Sequence, residues 1–455
     1  MNRVIRIMMA VLLLMLSACS SNNIRTLGKG ENDLDTWEAA PIWFHSVLYY
    51  PSEISLNFPG YLIGMEKSPK DLISDDEDVN TVVIPNAGKK IGKHIARIGG
   101  DDKLLYISHI LENFGEQHGQ KNCVHYNAYY RADDPDTHIP FCQPHEVREV
   151  NPKKAYVGSW EALDFLKQDL RHKLETANEP YTHIVVGMMG WNTDQEEAVR
   201  NFNSVAKNVR MAADIAGDKE FKPLFIGITW PSKWAADWIT PIITLFSYGN
   251  KADDADEIGF GWLGVLLHDT LRGLPKDVPV VVLGHSFGAR VSSMGVCMGP
   301  AIVKKKGDSL LPRTQIPLLI SLQGAYSMNR YYEDQGREGI FYPESCKNAQ
   351  HVVLTSSKHD EAMDNKSFVP FVGNETTYDD YCDMKEESEF DCVKASSNGT
   401  VTLPQSQKHK TYINADDLIK YNAYGSGGLA HSDIYRKEMG TMLWKVISEK
   451  LSPTP

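Results

Sequence analysis

Residues 278–293, VPVVVLGHSFGARVSS, place one serine where its hydroxyl could act as a nucleophile. A run of apolar, β-branched residues leads into Gly284-His285-Ser286-Phe287-Gly288, and the residues from Phe287 to Met298 suit a helix. A strand that turns sharply into a helix must fold back close to itself on either side of the serine. A glycine two positions before and another two positions after leave the room that this needs. The following helix then directs its positive N-terminal end at the hydroxyl, where a developing oxyanion would be stabilised.

A serine hydroxyl is a poor nucleophile until a base removes its proton, and the base in turn needs a carboxylate to orient it. With a serine at a strand-to-helix turn, the partners are expected in the order acid, then histidine. His431, in the Gly-rich stretch YGSGGLAHSDIYRK just before a final helix, is the expected base. His285 is adjacent to the serine and its side chain must diverge; His359 and His268 are alternatives that read better as surface or packing residues. Asp360, in SSKHDEAMD directly after the apolar run HVVLTS, is the expected acid, with Glu361, Asp364 and Asp334 as alternatives. Asp433 stands only two residues from His431 and reads as a cap for the last helix. Two backbone amides are needed for the oxyanion: Phe287, after the nucleophile, and Trp191 in Gly190-Trp191-Asn192, directly after another apolar run. Side chains and amides suffice for this chemistry, so no cofactor and no metal is implied.

The elements that must position these residues alternate along the chain. Leu163, Leu166, Leu170 and Leu174 predict an amphipathic helix over about 159–177 with Ser159 as N-cap; a strand follows at 183–190. Thr193-x-x-Glu196 predicts a capping box for a helix running to about Ile215. Residues 223–230 read as a strand, 258–271 as a helix, 278–284 as a strand, and 316–324 and 351–356 as further strands. Weaker runs at 81–85 and 104–108 are candidate early strands. Such alternation predicts an α/β domain with a mostly parallel sheet covered by helices on both faces. Residues 231–257, rich in Trp and Phe, and 361–424, acidic and Cys-containing, interrupt the rhythm and read as insertions; the first could form a lid.

IVVGMMGWNTDQEEAVRNF, PLFIGITWPS and VVVLGHSFGAR, taken in this order over about residues 155–298, resemble elements of bacterial α/β-hydrolases. Those relatives are uncharacterised serine hydrolases whose third strand ends in His-Gly-Tyr-Asn and whose fourth ends in Trp-Pro-Ser. The resemblance implies the α/β-hydrolase fold, Ser286 as nucleophile, Trp191 and Phe287 as oxyanion donors, and Asp360 and His431 as partners. One departure stands out: Met189 occupies the position of the family's histidine, a polar group that steadies the turn. The expected activity is ester hydrolysis of the carboxylesterase or lipase type, with an ester or lipid as substrate. An acyltransferase would use the same triad, and a non-catalytic surface lipoprotein on a hydrolase scaffold is the reading of another class.

The 455 residues are 42% hydrophobic and 23% charged, as in ordinary globular proteins. Arg3 and Arg6, the apolar run from Met8 to Leu16 and the small residues before Cys19 make residues 1–18 a signal peptide. Small residues followed by cysteine resemble the lipobox of bacterial lipoproteins, which implies acylation of Cys19, a membrane link through the acyl chains, and, with Ser20 next, an outer-membrane destination in the envelope. Residues 19–36 then serve as a tether and 37–455 as one hydrolase domain with its insertions. Loss of the two arginines would move the net charge of −12 by two, to −14, so no basic footprint for nucleic acid exists. Six cysteines remain, and an oxidising compartment suggests disulfides, with Cys123–Cys142 and Cys382–Cys392 as local pairs. Cys297 suits a buried free thiol equally. The histidines at 94, 109, 118, 125, 138 and 145 lack a ligand motif, and the acidic run 379–391 lacks a calcium-loop pattern; both read as surface features.

Overall fold

The computed structural model describes residues 55–74, 103–115, 122–128, 141–142, 152–190, 193, 195–217, 220–230, 252–275, 277–305, 307–332, 342–363, 369–383, 388–404, 406, 408–421 and 430–452. The expected signal peptide, Cys19, the expected tether, the candidate strand 81–85, Trp191, and residues 231–251 of the first expected insertion lie outside them.

Ten strands form one sheet: β1 (Pro59–Pro69), β2 (Lys103–Phe114), β3 (Cys123–Asn127), β4 (His183–Met188), β5 (Pro223–Thr229), β6 (Val280–His285), β7 (Ile316–Leu322), β8 (Ala349–Ser356), β9 (Phe390–Lys394) and β10 (Lys410–Asn414), in the order β3-β2-β1-β5-β4-β6-β7-β8-β10-β9. Among the described strands only the β1/β2 and β2/β3 pairs are antiparallel; every other pair is parallel. The central strands β4 and β5 are buried at every position, which is why HIVVGM and PLFIGIT read as continuous apolar runs rather than alternating ones.

The principal helices are α1 (Ala155–Thr176), α2 (Gln195–Ala216), α3 (252–270), α4 (Phe287–Cys297), α5 (Glu375–Asp383) and α6 (Lys437–Lys450). Two glycines show that helices cover both faces. In the β4/β6 register Gly187 pairs with Leu283 and Met188 with Gly284. A Cβ on Gly187 would meet Phe202 of α2, whereas one on Gly284 would meet Ser292 of α4. Successive strand residues point to opposite faces, so α2 and α4 lie on opposite sides of the sheet. Against α2 packs α6, closely enough that a Cβ on Gly440 would strike the Asn208 carbonyl. On the other face α3 takes two π-helical turns, and Gly259, Gly264 and Gly295 let it press against α4 and the chain after it.

Four sequence expectations are revised. The first helix starts at Ala155, and Ser159 lies inside it: its hydroxyl donates to the Ala155 carbonyl and accepts the Ile107 amide of β2, both at 2.8 Å. β1 went unread because glycines, Lys67 and Glu66 break its apolar pattern; these polar side chains bond Asp254, Glu257 and Tyr106. The stretch 361–424 is more than an insertion, since β9 and β10 within it extend the sheet beyond β8. KTYIN concealed a strand because its first residue is lysine, yet Lys410 is buried with its ammonium on Glu389 and Ser345. Finally, three cysteine pairs lie at disulfide distance: Cys123–Cys142, Cys382–Cys392 and Cys297–Cys346, so Cys297 is not free.

Candidate active site

Ser286 is the junction between β6 and α4 and has φ 58° and ψ −122°, a left-handed region that a non-glycine residue occupies only when its surroundings hold it there. The hold is visible. Its amide donates to the Leu322 carbonyl at 2.9 Å, and its carbonyl accepts the amides of Ala289, Arg290 and Ala325. Both glycines of the motif are needed for space: a Cβ on Gly284 would sit 2.4 Å from the Gly288 carbonyl oxygen, and one on Gly288 would sit 2.4 Å from that of Met188. Phe287, a proposed oxyanion donor, is the first residue of α4, where amides point out of the helix N-terminus.

Asp360 follows β8 by four residues and is 3% exposed. Its Oδ2 accepts His431 Nδ1 at 2.8 Å and the Gln323 side-chain amide at 2.8 Å, while Oδ1 accepts the Ala362 amide at 3.1 Å. Such a carboxylate fixes the tautomer and orientation of the imidazole. His431 is brought beside the elbow by His285, whose Nε2 donates to the His431 carbonyl at 2.9 Å and whose ring lies 4.6 Å from the His431 ring, centroid to centroid. Burial, together with the neighbouring His431, pushes the His285 imidazole well below its ordinary pKa, so it stays neutral and donates. Among the described residues, the Ser286 hydroxyl makes no hydrogen bond to the His431 ring. Closure of such bonds on binding substrate is common in unliganded enzymes.

The side of Ser286 where Trp191 was expected to donate is built from the ends of β4 and β5. Gly190 approaches Ser286 so closely that a Cβ there would sit 2.7 Å from Ser286 Cβ and 3.1 Å from its Oγ. Trp230, the tryptophan of Trp-Pro-Ser, donates its indole N–H to the Met189 carbonyl at 3.1 Å, and the Tyr435 hydroxyl reaches the Met189 sulfur at 3.8 Å. The turn at Met189 is therefore steadied by a tryptophan that directly follows β5 and a tyrosine near α6. Behind it, Gln195 of α2 bonds His109 of β2 at 3.0 Å. Trp191 itself lies outside the described residues.

Ser286, Asp360, His431, Gly190 and Phe287 thus come together where the parallel strands end, after β6, β8, β10 and β4, the edge at which α/β sheets bind ligands. The alternatives go elsewhere or are not described. His268 is buried against α4 and the chain before β7, with Nε2 on the Gly295 carbonyl and Nδ1 on Thr314. His359 contributes its amide to the Ser357 hydroxyl, and Glu361 is exposed. Asp334 and Asp364 lie outside the described residues. Asp433 does not cap α6; it accepts the Lys420 and Tyr421 amides and the Arg436 guanidinium, which ties the two ends of the Gly-rich stretch preceding His431. Gln323, His285 and Trp230 carried no role in the sequence reading. A long polar residue before a glycine at a strand end, as in Gln323-Gly324, was the only available hint.

Glu112, His125 and Cys142 bring one donor atom each within 4.8 Å. The Cys142 sulfur is bonded to Cys123, His125 Nε2 meets Glu112 at 2.6 Å, and Lys173 also engages Glu112, so these groups satisfy one another. Comparison with family models, with curated proteins and with solved structures yields no match in any of the three.

Proposed function

We propose that the protein is a serine ester hydrolase of the α/β-hydrolase type, and that it works through an acyl-enzyme on Ser286. The observation that carries this reading is the strained Ser286 at the β6–α4 turn, together with the His431–Asp360 bond beside it. In this reading His431 Nε2 takes the Ser286 proton as Oγ attacks the ester carbonyl, and the oxyanion is held by the amides of Phe287 and Trp191. The imidazolium, stabilised by Asp360, then gives its proton to the departing alcohol. Water attacks the acyl-enzyme, losing its proton to His431, and the carboxylic acid leaves as Ser286 regains its hydrogen. The acyl group of the substrate can be that of a short ester or of a lipid.

We further propose that Cys19 is acylated after removal of residues 1–18 and tethers the enzyme to a bacterial envelope membrane, the outer membrane that Ser20 suggests. Three cysteine pairs at disulfide distance agree with an oxidising compartment. A fluorophosphonate probe tests the catalytic reading: wild type should be labelled and Ser286→Ala should not. Absence of labelling on wild type, or equal labelling of both, would sink it. Radiolabelled palmitate should enter the wild-type chain and not Cys19→Ser.

A further inference from the structure

We propose that Gln323 is a positioning residue of this site, which holds Asp360 aligned for His431; the role rests on the triad reading above. Gln323 is fully buried and directly follows β7. Its side-chain amide nitrogen donates to Asp360 Oδ2, the same oxygen that receives His431 Nδ1, and at 3.3 Å to the Gly373 carbonyl. Its side-chain oxygen accepts the Thr355 hydroxyl at 2.9 Å, and its own amide donates to that hydroxyl at 3.0 Å. Every polar end of the side chain is thereby fixed, and the amide cannot flip without losing a bond.

Two further features separate this from ordinary packing. Gln323 has φ 47°, in the left-handed region that glycine would fill without strain, and Gly324 stands next to it. A long amide in that conformation requires compensating interactions, and one of those it makes is with Asp360, the acid of the triad reading. Secondly, the residue closes a ring of contacts. Ala325, two residues on, bonds the Ser286 carbonyl; His285, next to Ser286, bonds the His431 carbonyl; His431 bonds Asp360; and Asp360 returns to Gln323. Gly373 lets the neighbouring segment lie against Gln323, where a Cβ would come 2.9 Å from its carbonyl carbon. The Gln323 amide occupies one lone pair of Oδ2 and the Ala362 amide one of Oδ1, which fixes the carboxylate plane and aims the other Oδ2 lone pair at the imidazole.

Among the described residues, the titratable groups facing His431 are Asp360 from beyond β8 and His285 from β6, with Asp433 two residues on already engaged by Arg436. Substitution can therefore be read cleanly. Gln323→Leu keeps the bulk and removes the donor. Hydrolysis of p-nitrophenyl acetate should lose about tenfold to a hundredfold in kcat with KM little changed, at all pH values, as expected for one bond to a charged group. Gln323→Glu can still donate while protonated and repels Asp360 once ionised. Its kcat relative to wild type should fall about tenfold as the pH rises from about 6 to about 9, a slope that a merely structural role would not produce. Independently of substrate, the downfield Nδ1 proton of His431 should be sharp by NMR in wild type and in Ser286→Ala and broadened or lost in Gln323→Leu. Wild type labelled by fluorophosphonate, with both Gln323 variants matching it in rate, pH profile and proton resonance, would overturn this role alone. Wild type without labelling would remove the triad reading and this role with it.

Discussion

Gly190→Ala tests the geometry of the site most directly, because the substitution adds one carbon at a known place. The φ of Gly190 lies outside the left-handed region, so the backbone accepts alanine and only the new contact matters. That contact is severe: the added Cβ would sit 2.7 Å from Ser286 Cβ, whereas ordinary contact begins at 3.4 Å, so Ser286 and the turn must separate by about 0.7 Å. Ser286 cannot yield easily, since its amide and carbonyl are held by Leu322, Ala289, Arg290 and Ala325. The strain falls on the turn after β4 that would bind the oxyanion. A misplacement approaching 1 Å at a reacting centre costs up to about a hundredfold, so kcat/KM should fall by about 30- to 100-fold, about 2 to 3 kcal/mol of transition-state stabilisation. The assay is p-nitrophenyl acetate hydrolysis with burst titration of active sites, alongside thermal unfolding to show that the variant is folded. A folded Gly190→Ala with wild-type kcat/KM would refute the placement of the oxyanion turn against Ser286.

Other perturbations have calculable outcomes. Trp230→Phe keeps the ring and removes the bond to the Met189 carbonyl; about 1 kcal/mol of stability and about fivefold in kcat should be lost, measured by urea unfolding and ester turnover. Asp256, fully buried between the guanidinium groups of Arg290 and Arg330, should cost about 3 to 5 kcal/mol when changed to Leu, read as a lower urea midpoint. Loss of the Cys297–Cys346 pair, separated by 49 residues, should cost about 4 kcal/mol, against about 3 for Cys382–Cys392, separated by 10; serine double variants compared by unfolding give the order. His268 is held neutral by burial, its pKa pushed down to about 4 from an ordinary 6.5. The unfolded chain then binds more protons, so the stability His268 contributes is full above about pH 6.5 and lost as the pH falls towards 4, about 3 kcal/mol in all. His268→Gln should flatten the pH dependence of the urea midpoint in that interval.

What could be read in advance depended on where the signal resides. β4, β5 and β6 are buried on both faces, and helices with regular apolar spacing follow or precede them, so their types and order showed in the residue pattern. The Gly-x-Ser-x-Gly turn was equally legible, because its steric demand is met by residues adjacent in the chain. β1, β9 and β10 were not legible. Their polar residues find partners far away in sequence, such as Lys67 on Asp254 and Glu257, or Lys410 on Ser345, and no local pattern reports such pairings.

The same distinction orders the site itself. Asp360 could be placed by its distance from a strand end, and His431 by a Gly-rich approach to the last helix, since both follow from chain order. Their support could not. Gln323 lies 37 residues from Asp360, His285 lies 146 residues from His431, and Trp230 lies 41 residues from Met189. Each supporter stands at the end of a different parallel strand: β7, β6 and β5. Parallel strands bring their carboxyl ends to one edge whatever their separation along the chain, so the sheet converts distant residues into neighbours there. Loss of a supporter should therefore lower turnover while leaving the fold intact, whereas loss of Gly284 or Gly288, whose added Cβ would strike backbone atoms, should damage the fold first. Paired measurement of kcat and unfolding midpoint for Gln323→Leu and Gly288→Ala decides it: the first should move kcat more than the midpoint and the second the reverse, and equal responses would contradict the distinction.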